Sequence, residues 1–167
     1  MIFCYTATQK SKFYADVLGD VLGRPVHMLD CELGSDFGPD LRFGFMLRAI
    51  WYTIAKKPAA VVNMPALEDI GDGDVYLCGP VWGGHPAPPL RYFLGSLAAL
   101  RARKVHMLLT ATVGHERQIK NAKKMIEGAG LVAGNVEIFA TGGGLVPERD
   151  VVEEHIRSLM LDGAEAR

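Results

Sequence analysis

Residues with phosphate-binding chemistry follow the first apolar run of the chain. Three hydroxyls and one amine lie there within six consecutive residues, Thr6, Ala7, Thr8, Gln9, Lys10 and Ser11. A helical pattern begins at once, so this loop precedes a helix N-terminus, where free N–H groups and the helix dipole favour an anion. The segment therefore predicts a phosphate site. The simpler alternative is that Thr8 or Ser11 only caps the helix.

A second segment combines an aromatic side chain with a stiff backbone that also contains glycine. It consists of Pro80, Val81, Trp82, Gly83, Gly84 and His85, followed by Pro86, Ala87, Pro88 and Pro89. Trp82 offers a stacking wall to a planar ligand, and glycines let the backbone approach it closely. His85 is a candidate for proton transfer. Alternatively, the segment is only a rigid turn and His85 faces solvent.

A third segment is small and polar. It comprises Thr110, Ala111, Thr112, Val113, Gly114 and His115 and follows another apolar run. Its size suits the opposite side of the same pocket. His115 is a second candidate for proton transfer, with the same solvent-facing alternative as His85.

The elements that must position these loops are predicted by hydrophobic periodicity. Apolar runs typical of buried strands occur at 2–6, 26–29, 72–78, 105–109 and 136–139. Helical spacing predicts helices at 10–22, at 41–57, from Pro88 onward, at 114–127 and at 147–161. This alternation predicts one α/β domain over 1–167, with a doubly wound five-stranded parallel sheet and helices on both faces. Ligands bind beyond the carboxyl ends of such strands, where the three loops lie.

Residues 31–57 exceed what a minimal strand-to-strand crossover needs. Residues 31–40 have a loop composition, and 41–57 have a helical stripe that we expect to face the sheet. That stripe consists of Phe43, Leu47, Ile50, Trp51 and Ile54. Phe45, Met46 and Tyr52 lie off it, so the helix is apolar over more than half its girth. Either it packs on the sheet like any other helix, or its extra surface walls a ligand pocket or forms a homodimer contact.

Composition excludes several classes of protein. With 49% hydrophobic residues among 167, the chain is not disordered. A net charge of −1 does not suit a nucleic-acid binder. The three cysteines have neither CxxC nor zinc-ligand spacing, so we expect no metal site and a reducing compartment. No signal peptide or membrane-spanning run is evident, which predicts a soluble, cytoplasmic protein.

Together, the three loops and the predicted fold resemble the flavodoxin-like family of FMN proteins. Residues 80–89, which continue into 90–94, resemble a subgroup with a Pro-Val-Trp-x-Gly-x-Pro-Ala-Pro-Pro loop. The resemblance covers nearly the whole chain, including the extra helix before the third strand. It implies strand order 2-1-3-4-5 and FMN at the switch point of the sheet. It further implies a phosphate site at Thr6, Thr8, Gln9, Lys10 and Ser11, and ring contacts from Pro80, Val81, Trp82, Gly83, Gly84, Thr110, Ala111, Thr112 and Gly114.

The phosphate loop departs from the [ST]-x-T-G-N-T pattern that the family usually carries. The hydroxyls of Thr6, Thr8 and Ser11 are kept, but Gln9 replaces the glycine and Lys10 the asparagine. If that glycine needs a positive φ, Gln9 would be strained. If it only keeps the loop uncrowded, Gln9 is harmless and Lys10 adds a charge for the phosphate.

The resemblance implies a redox function of one of two kinds. The first is reduction of a quinone-like small molecule by NAD(P)H through FMN, favoured by the nearly neutral charge and by His85 and His115. The second is a one-electron shuttle that docks to a redox partner protein, and Gly83 and Gly84 are compatible with both. A third alternative, a cofactor-free binding module, is supported only by Gln9 and Lys10.

Overall fold

A parallel sheet with helices on both faces forms the framework of the protein. The computed structural model describes residues 1–33, 43–55, 57–99, 103–142 and 147–165. The strands are β1 (Ile2–Cys4), β2 (Val26–Met28), β3 (Val75–Trp82), β4 (His85–Pro86), β5 (Lys104–Ala111) and β6 (Val132–Ala140). The helices are α1 (Lys10–Leu22), α2 (Phe43–Ile54), α3 (Pro88–Ser96), α4 (Glu116–Gly128) and α5 (Arg149–Glu165).

The parallel strands have the order that the resemblance implies. They lie β2-β1-β3-β5-β6, and the two-residue β4 pairs antiparallel with the end of β3. Without that short strand, the order is 2-1-3-4-5. The carboxyl ends of β1 and β3 therefore lie side by side, and β5 follows on the other side of β3.

Residues that alternate along the strands build two apolar cores, one on each face of the sheet. Phe3 and Leu77 belong to one core cluster, which also contains residues of α2, α3 and α4. Ile2 and Cys78 belong to the other, with residues of α1 and α5. This double burial explains why the strands read as continuous apolar runs in the sequence.

Element bounds differ from the prediction where tertiary pairing overrides local propensity. Helix α1 spans the predicted 10–22, whereas β3 continues past Cys78 to Trp82. Gly79 and Pro80 would end a strand by propensity, but both pair with β5, opposite Leu109 and Thr110. The added residues carry the sheet directly into the second predicted site segment.

The orientation predicted for α2 is wrong. Leu47, Ile50, Trp51 and Ile54, expected to face the sheet, are 53%, 50%, 60% and 73% exposed. Phe45 is buried instead, and Tyr52, also off the predicted stripe, packs against the core. Apolar residues surround most of this helix, so periodicity alone could not select the buried face. The side chains of Phe43 and Met46, and most of the predicted 31–40 loop, lie outside the described residues.

Candidate functional site

The three predicted loop segments line one cleft at the carboxyl edge of the sheet. Its volume is about 610 Å³, within the range of small-molecule sites. The predicted residues that line it are Thr8, Lys10, Pro80, Val81, Trp82, Gly83, Thr110, Ala111 and Thr112. Five predicted residues do not line it: Thr6, Gln9, Ser11, Gly84 and Gly114. The first three belong to the loop at 6–11 that precedes α1. The topology thus brings together segments up to about a hundred residues apart in sequence.

Gln9 enters α1 in a left-handed backbone conformation. Its φ is 63° and its ψ −16°, and it is the one non-glycine residue with positive φ in the described part of the chain. This conformation costs an L residue about 1 kcal/mol or more. The position that is glycine in the resembled pattern therefore does require a positive φ, and Gln9 is strained there.

Three hydroxyl groups are buried at this loop: those of Thr6 and Ser11 within it and that of Thr110 beside it. Thr6 is 1% exposed, and its Oγ1 makes no hydrogen bond with any described residue. The Ser11 and Thr110 hydroxyls are 2.7 Å apart and join the first loop to the third. A buried hydroxyl without a partner is costly. An anion seated in the loop would give the Thr6 hydroxyl an acceptor, so the residues present fit a phosphate.

Charge at this end of the cleft also favours an anion. Lys10 is the one cation among the described lining residues, which include no carboxylate. Its Nζ donates to the Thr141 carbonyl oxygen at 3.3 Å, which holds the amine at the edge of the cleft.

Thr141 is a lining residue that the sequence reasoning missed. Its backbone N–H donates to the Ala111 carbonyl at 2.7 Å, and its hydroxyl donates to the same oxygen at 3.2 Å. It directly follows the carboxyl end of β6. The rule that ligands bind beyond strand ends, applied to the fifth predicted strand as well, would have found it.

The second segment is a β-hairpin rather than an open loop. Trp82 pairs with His85, and the two residues between them, Gly83 and Gly84, have φ of 58° and 81°. Two consecutive positive φ values are typical of the tight turns that match strand twist. A Cβ on Gly83 would lie 2.6 Å from Thr53 Cγ2, because α2 packs closely on the turn.

Trp82 forms the aromatic wall of the cleft. Its ring is edge-on to Phe45, with centroids 5.8 Å apart, and edge-on to Tyr5 at 6.0 Å. Both contacts have the geometry that aromatic rings prefer. They hold the indole at the junction of β3, α2 and the first loop.

Helix α2 provides a further wall beside Trp82, as one alternative from the sequence anticipated. Phe45, Ala49, Ile50, Thr53 and Ile54 all line the cleft. The helix is anchored at its C-terminal end by the Arg91 guanidinium, which donates to the Tyr52 and Lys57 carbonyls at 3.3 and 3.2 Å. Cationic side chains are favourable at that end of a helix. Tyr52 in turn donates to Glu32 Oε1 at 3.0 Å, which ties α2 to the segment after β2.

The two predicted histidines lie outside the main cleft. His85 and His115 line an adjacent depression of about 530 Å³ with Arg117, and Gly83 borders both cavities. Asn121 Nδ2 donates to the Gly84 carbonyl at 2.9 Å and joins the hairpin turn to α4. The role of the histidines in proton transfer stays a prediction.

Two further features of the described chain concern metals and membranes. No group of three or more His, Cys, Asp or Glu is placed to hold a metal ion within the described ranges. Among the helices of those ranges, none has both the length and the apolar character needed to cross a bilayer.

Comparison with known proteins identifies solved structures that share this fold. No protein-family model matches the chain, and no curated protein resembles it. Several solved structures do. A provisionally described flavoprotein from Bacteroides eggerthii has TM-score 0.69 and 16% identity, over 95% of this chain and 96% of that one. A flavoprotein from Lactobacillus acidophilus in complex with FMN has TM-score 0.61 and 17% identity, over 82% and 91%. Two-electron-reduced Megasphaera elsdenii flavodoxin has TM-score 0.53 and 15% identity, over 95% and 99%. The protein therefore has a flavodoxin-like fold.

Proposed function

We propose that the chain binds FMN in the cleft and acts as a redox protein. The observation that carries the proposal is the meeting, at one sheet edge, of an anion-compatible loop and an aromatic wall. The buried Thr6 hydroxyl without a partner supports the phosphate end. The Lactobacillus acidophilus flavoprotein of the same fold, solved with FMN, supports the choice of flavin.

The phosphate would be held by this chain's own loop. The first-turn N–H groups of α1 have no side-chain cap, and no acidic residue lies in that turn. These groups would donate to the phosphate, with the Thr6 and Thr8 hydroxyls and the Lys10 amine. Ser11 would hold the loop in position through the Thr110 hydroxyl.

The ring would lie between the hairpin and the third loop. Trp82 would contact its plane or edge, and residues Thr110, Ala111 and Thr112 would close the other side. Phe45 and Ile50 of α2 would exclude water from its apolar part. Bound FMN would supply the electron-transfer chemistry, and the chain would orient it and tune its surroundings.

The finer proposal is an NAD(P)H-dependent reductase of quinone-like small molecules. The apolar α2 wall supports it, because Ile50 and Ile54 line the cleft and are still 50% and 73% exposed, as an apolar acceptor would need. His85 and His115, one glycine away from the cleft, would hold or give the proton. The alternative, a one-electron shuttle, differs in its acceptor and not in its cofactor.

Titration of the FMN-free protein with FMN and with riboflavin tests the cofactor. We expect quenched flavin fluorescence and a yellow complex, with FMN bound more tightly than riboflavin because only FMN carries the phosphate. A protein that stays colourless and takes up neither flavin would be a cofactor-free module instead.

Anaerobic addition of NADH or NADPH to the loaded protein tests the reductase role. Bleaching of the flavin absorbance, followed by its return when a water-soluble benzoquinone is added, is the expected result. A flavin that only a strong one-electron reductant bleaches would favour the shuttle.

A further inference from the structure

Helix α4 presents an unusual concentration of positive charge. Four of the eighteen Lys and Arg residues lie on its thirteen positions, Arg117, Lys120, Lys123 and Lys124. Only two carboxylates, Glu116 and Glu127, share the helix, although the whole chain carries a net charge of −1. The helix is thus locally basic in a protein that is globally almost neutral.

These four cations are exposed and make no ion pair or hydrogen bond with any described residue. Cations on the other helices do have partners: Lys12 contacts Asp16 on α1, and Arg157 contacts Glu153 on α5. Lys120 and Lys124 are four residues apart, a spacing at which like charges destabilise a helix by a few tenths of a kcal/mol. Glu116 and Glu127 lie four residues from Lys120 and Lys123, the favourable spacing for opposite charges, but neither forms an ion pair with a described residue, so the four cations stay available on the surface.

The basic surface leads directly to the proposed cofactor site. Arg117 lines both the α4 surface and the depression that contains His85 and His115. Gly83 lines both that depression and the main cleft. From Arg117 to Lys124 the helix extends about 10 Å away from the depression. A partner on this surface would therefore reach the edge of the cleft.

We propose that α4 is the docking surface of an acidic electron-transfer protein that exchanges electrons with the cleft. The inference rests on the proposed FMN function. Complementary charge steers such encounters and raises their rate by about ten- to a thousandfold at low salt. Four cations spread over the outer face of a helix suit the broad surface of a protein. A dinucleotide would instead be expected inside a concave pocket.

Charge reversal on α4 tests the surface. The variant carries Lys120→Glu, Lys123→Glu and Lys124→Glu, three exposed residues outside the cleft. Lys124→Glu alone is compared with Lys57→Glu, which makes the same charge change at an exposed site outside both cavities. The probe is a plant-type [2Fe–2S] ferredoxin, an acidic one-electron protein, photochemically reduced and mixed with the FMN-loaded protein in a stopped-flow instrument.

We expect wild-type electron transfer to slow as salt rises from about 20 mM, because salt screens exposed charges. The triple variant should react at least about tenfold more slowly at low salt, and its rate should rise with salt. Lys124→Glu should slow the reaction severalfold and Lys57→Glu should leave it unchanged.

Equal rates for wild type and triple variant would overturn the proposal. So would a tenfold rise in the KM for NADPH with an unchanged ferredoxin rate, which would assign the surface to a dinucleotide.

Binding of the same ferredoxin to the FMN-free protein separates this proposal from the proposed function. Salt-sensitive binding that the triple variant loses, with no equivalent binding of the basic protein cytochrome c, would support the surface even if FMN never binds. Equal binding of both probes, or equal binding of ferredoxin to wild type and variant, would overturn the surface even if FMN binds tightly.

Discussion

At the scale of single residues, Gln9 marks a conflict between local preference and position. The residue has a φ of 63° directly before α1, where the chain must turn its N–H groups toward the cleft. Strained backbone of this kind persists when the surrounding structure over-determines it, and it clusters at functional sites. Lys10 follows at once and faces the same cleft, so the strained residue also places the one cation among the described lining residues.

Gln9→Gly should stabilise the FMN-free protein. Glycine adopts positive φ without steric cost, and this gain exceeds the extra chain entropy that it loses on folding. We expect a free energy of unfolding higher by about 1 kcal/mol, measured by urea denaturation. The control is Gln9→Ala, which removes the side chain but keeps the strain and should give no increase. Equal effects of the two variants would contradict a backbone origin.

Lys10→Gln should weaken binding of FMN but not of riboflavin. A hydrogen bond to a charged group contributes about 1.5–3 kcal/mol, so the Kd for FMN should rise about tenfold or more. Lys12→Gln is the matched control, because Lys12 lies two residues further on and pairs with Asp16 instead of facing the cleft. Equal losses for both flavins would show that Lys10 does not contact the phosphate.

Trp82→Ala should weaken binding of both flavins, because its ring lies at the wall rather than at the phosphate end. An aromatic contact contributes about 1 kcal/mol beyond its buried area, so we expect a rise in both Kd values of at least about tenfold. Trp51→Ala provides the comparison, since Trp51 is 60% exposed and outside the cleft lining. Unchanged Kd values in Trp82→Ala would make Trp82 a structural residue only.

At the scale of elements, the cleft depends on how α2 packs against the β3–β4 hairpin. The contact is close only because Gly83 has no Cβ, and Thr53 occupies that space. Arg91 and Glu32 hold the same helix from the other side through its Tyr52. The distance between α2 and the β3–β4 hairpin is therefore set by the contact of Thr53 with Gly83.

Gly83→Ala should destabilise the protein more than Gly84→Ala. Both positions have positive φ and incur backbone strain of about 1 kcal/mol. Only at Gly83 does the new methyl also overlap Thr53 Cγ2, at 2.6 Å, whereas nothing lies within 4 Å at Gly84. We expect a difference of about 1 kcal/mol or more in the free energy of unfolding. The double variant Gly83→Ala, Thr53→Ser removes the overlapping methyl and should recover part of that difference; no recovery would contradict the overlap.

The sequence predicts the elements of this fold better than their faces. The parallel α/β architecture and the span of α1 follow from alternation, periodicity and the Gly23 C-cap, all local signals, whereas the strand order is what the resemblance implied. Which face of α2 is buried does not follow from local signals. It depends on the contact of Phe45 with Trp82 and on the hydrogen bond of Tyr52 to Glu32, and both partners are distant in sequence. Thr141 follows the end of a predicted strand, but only its bonds to Ala111 on the neighbouring strand place it at the cleft. Long-range packing, rather than local preference, decides these features.

At the scale of the whole molecule, two surfaces beside the cleft differ in character. Helix α4 is basic, whereas the outer face of α2 is apolar. Leu47 and Trp51 on that face, outside the cleft lining, are each more than half exposed. Contiguous apolar surface of this kind is uncommon on monomers and marks contacts with other molecules. We expect the charged surface to serve transient encounters and the apolar surface to serve stable association.

We therefore predict a homodimer in which the outer faces of α2 from two copies meet, since symmetric dimers are the commonest assembly for such a surface. Light scattering or sedimentation of the wild type at micromolar concentration should give twice the chain mass. Trp51→Glu with Leu47→Lys, which leaves the net charge unchanged, should raise the dimer Kd at least about tenfold, because buried tryptophan contacts typically contribute 2 kcal/mol or more.

These positions replace Phe45 as targets, since Phe45 packs on Trp82 within one chain and its loss would damage the cleft itself. Val151→Glu, at an exposed apolar residue of α5, controls for a general surface effect and should leave the dimer intact. A wild type that is monomeric at micromolar concentration would rule the dimer out.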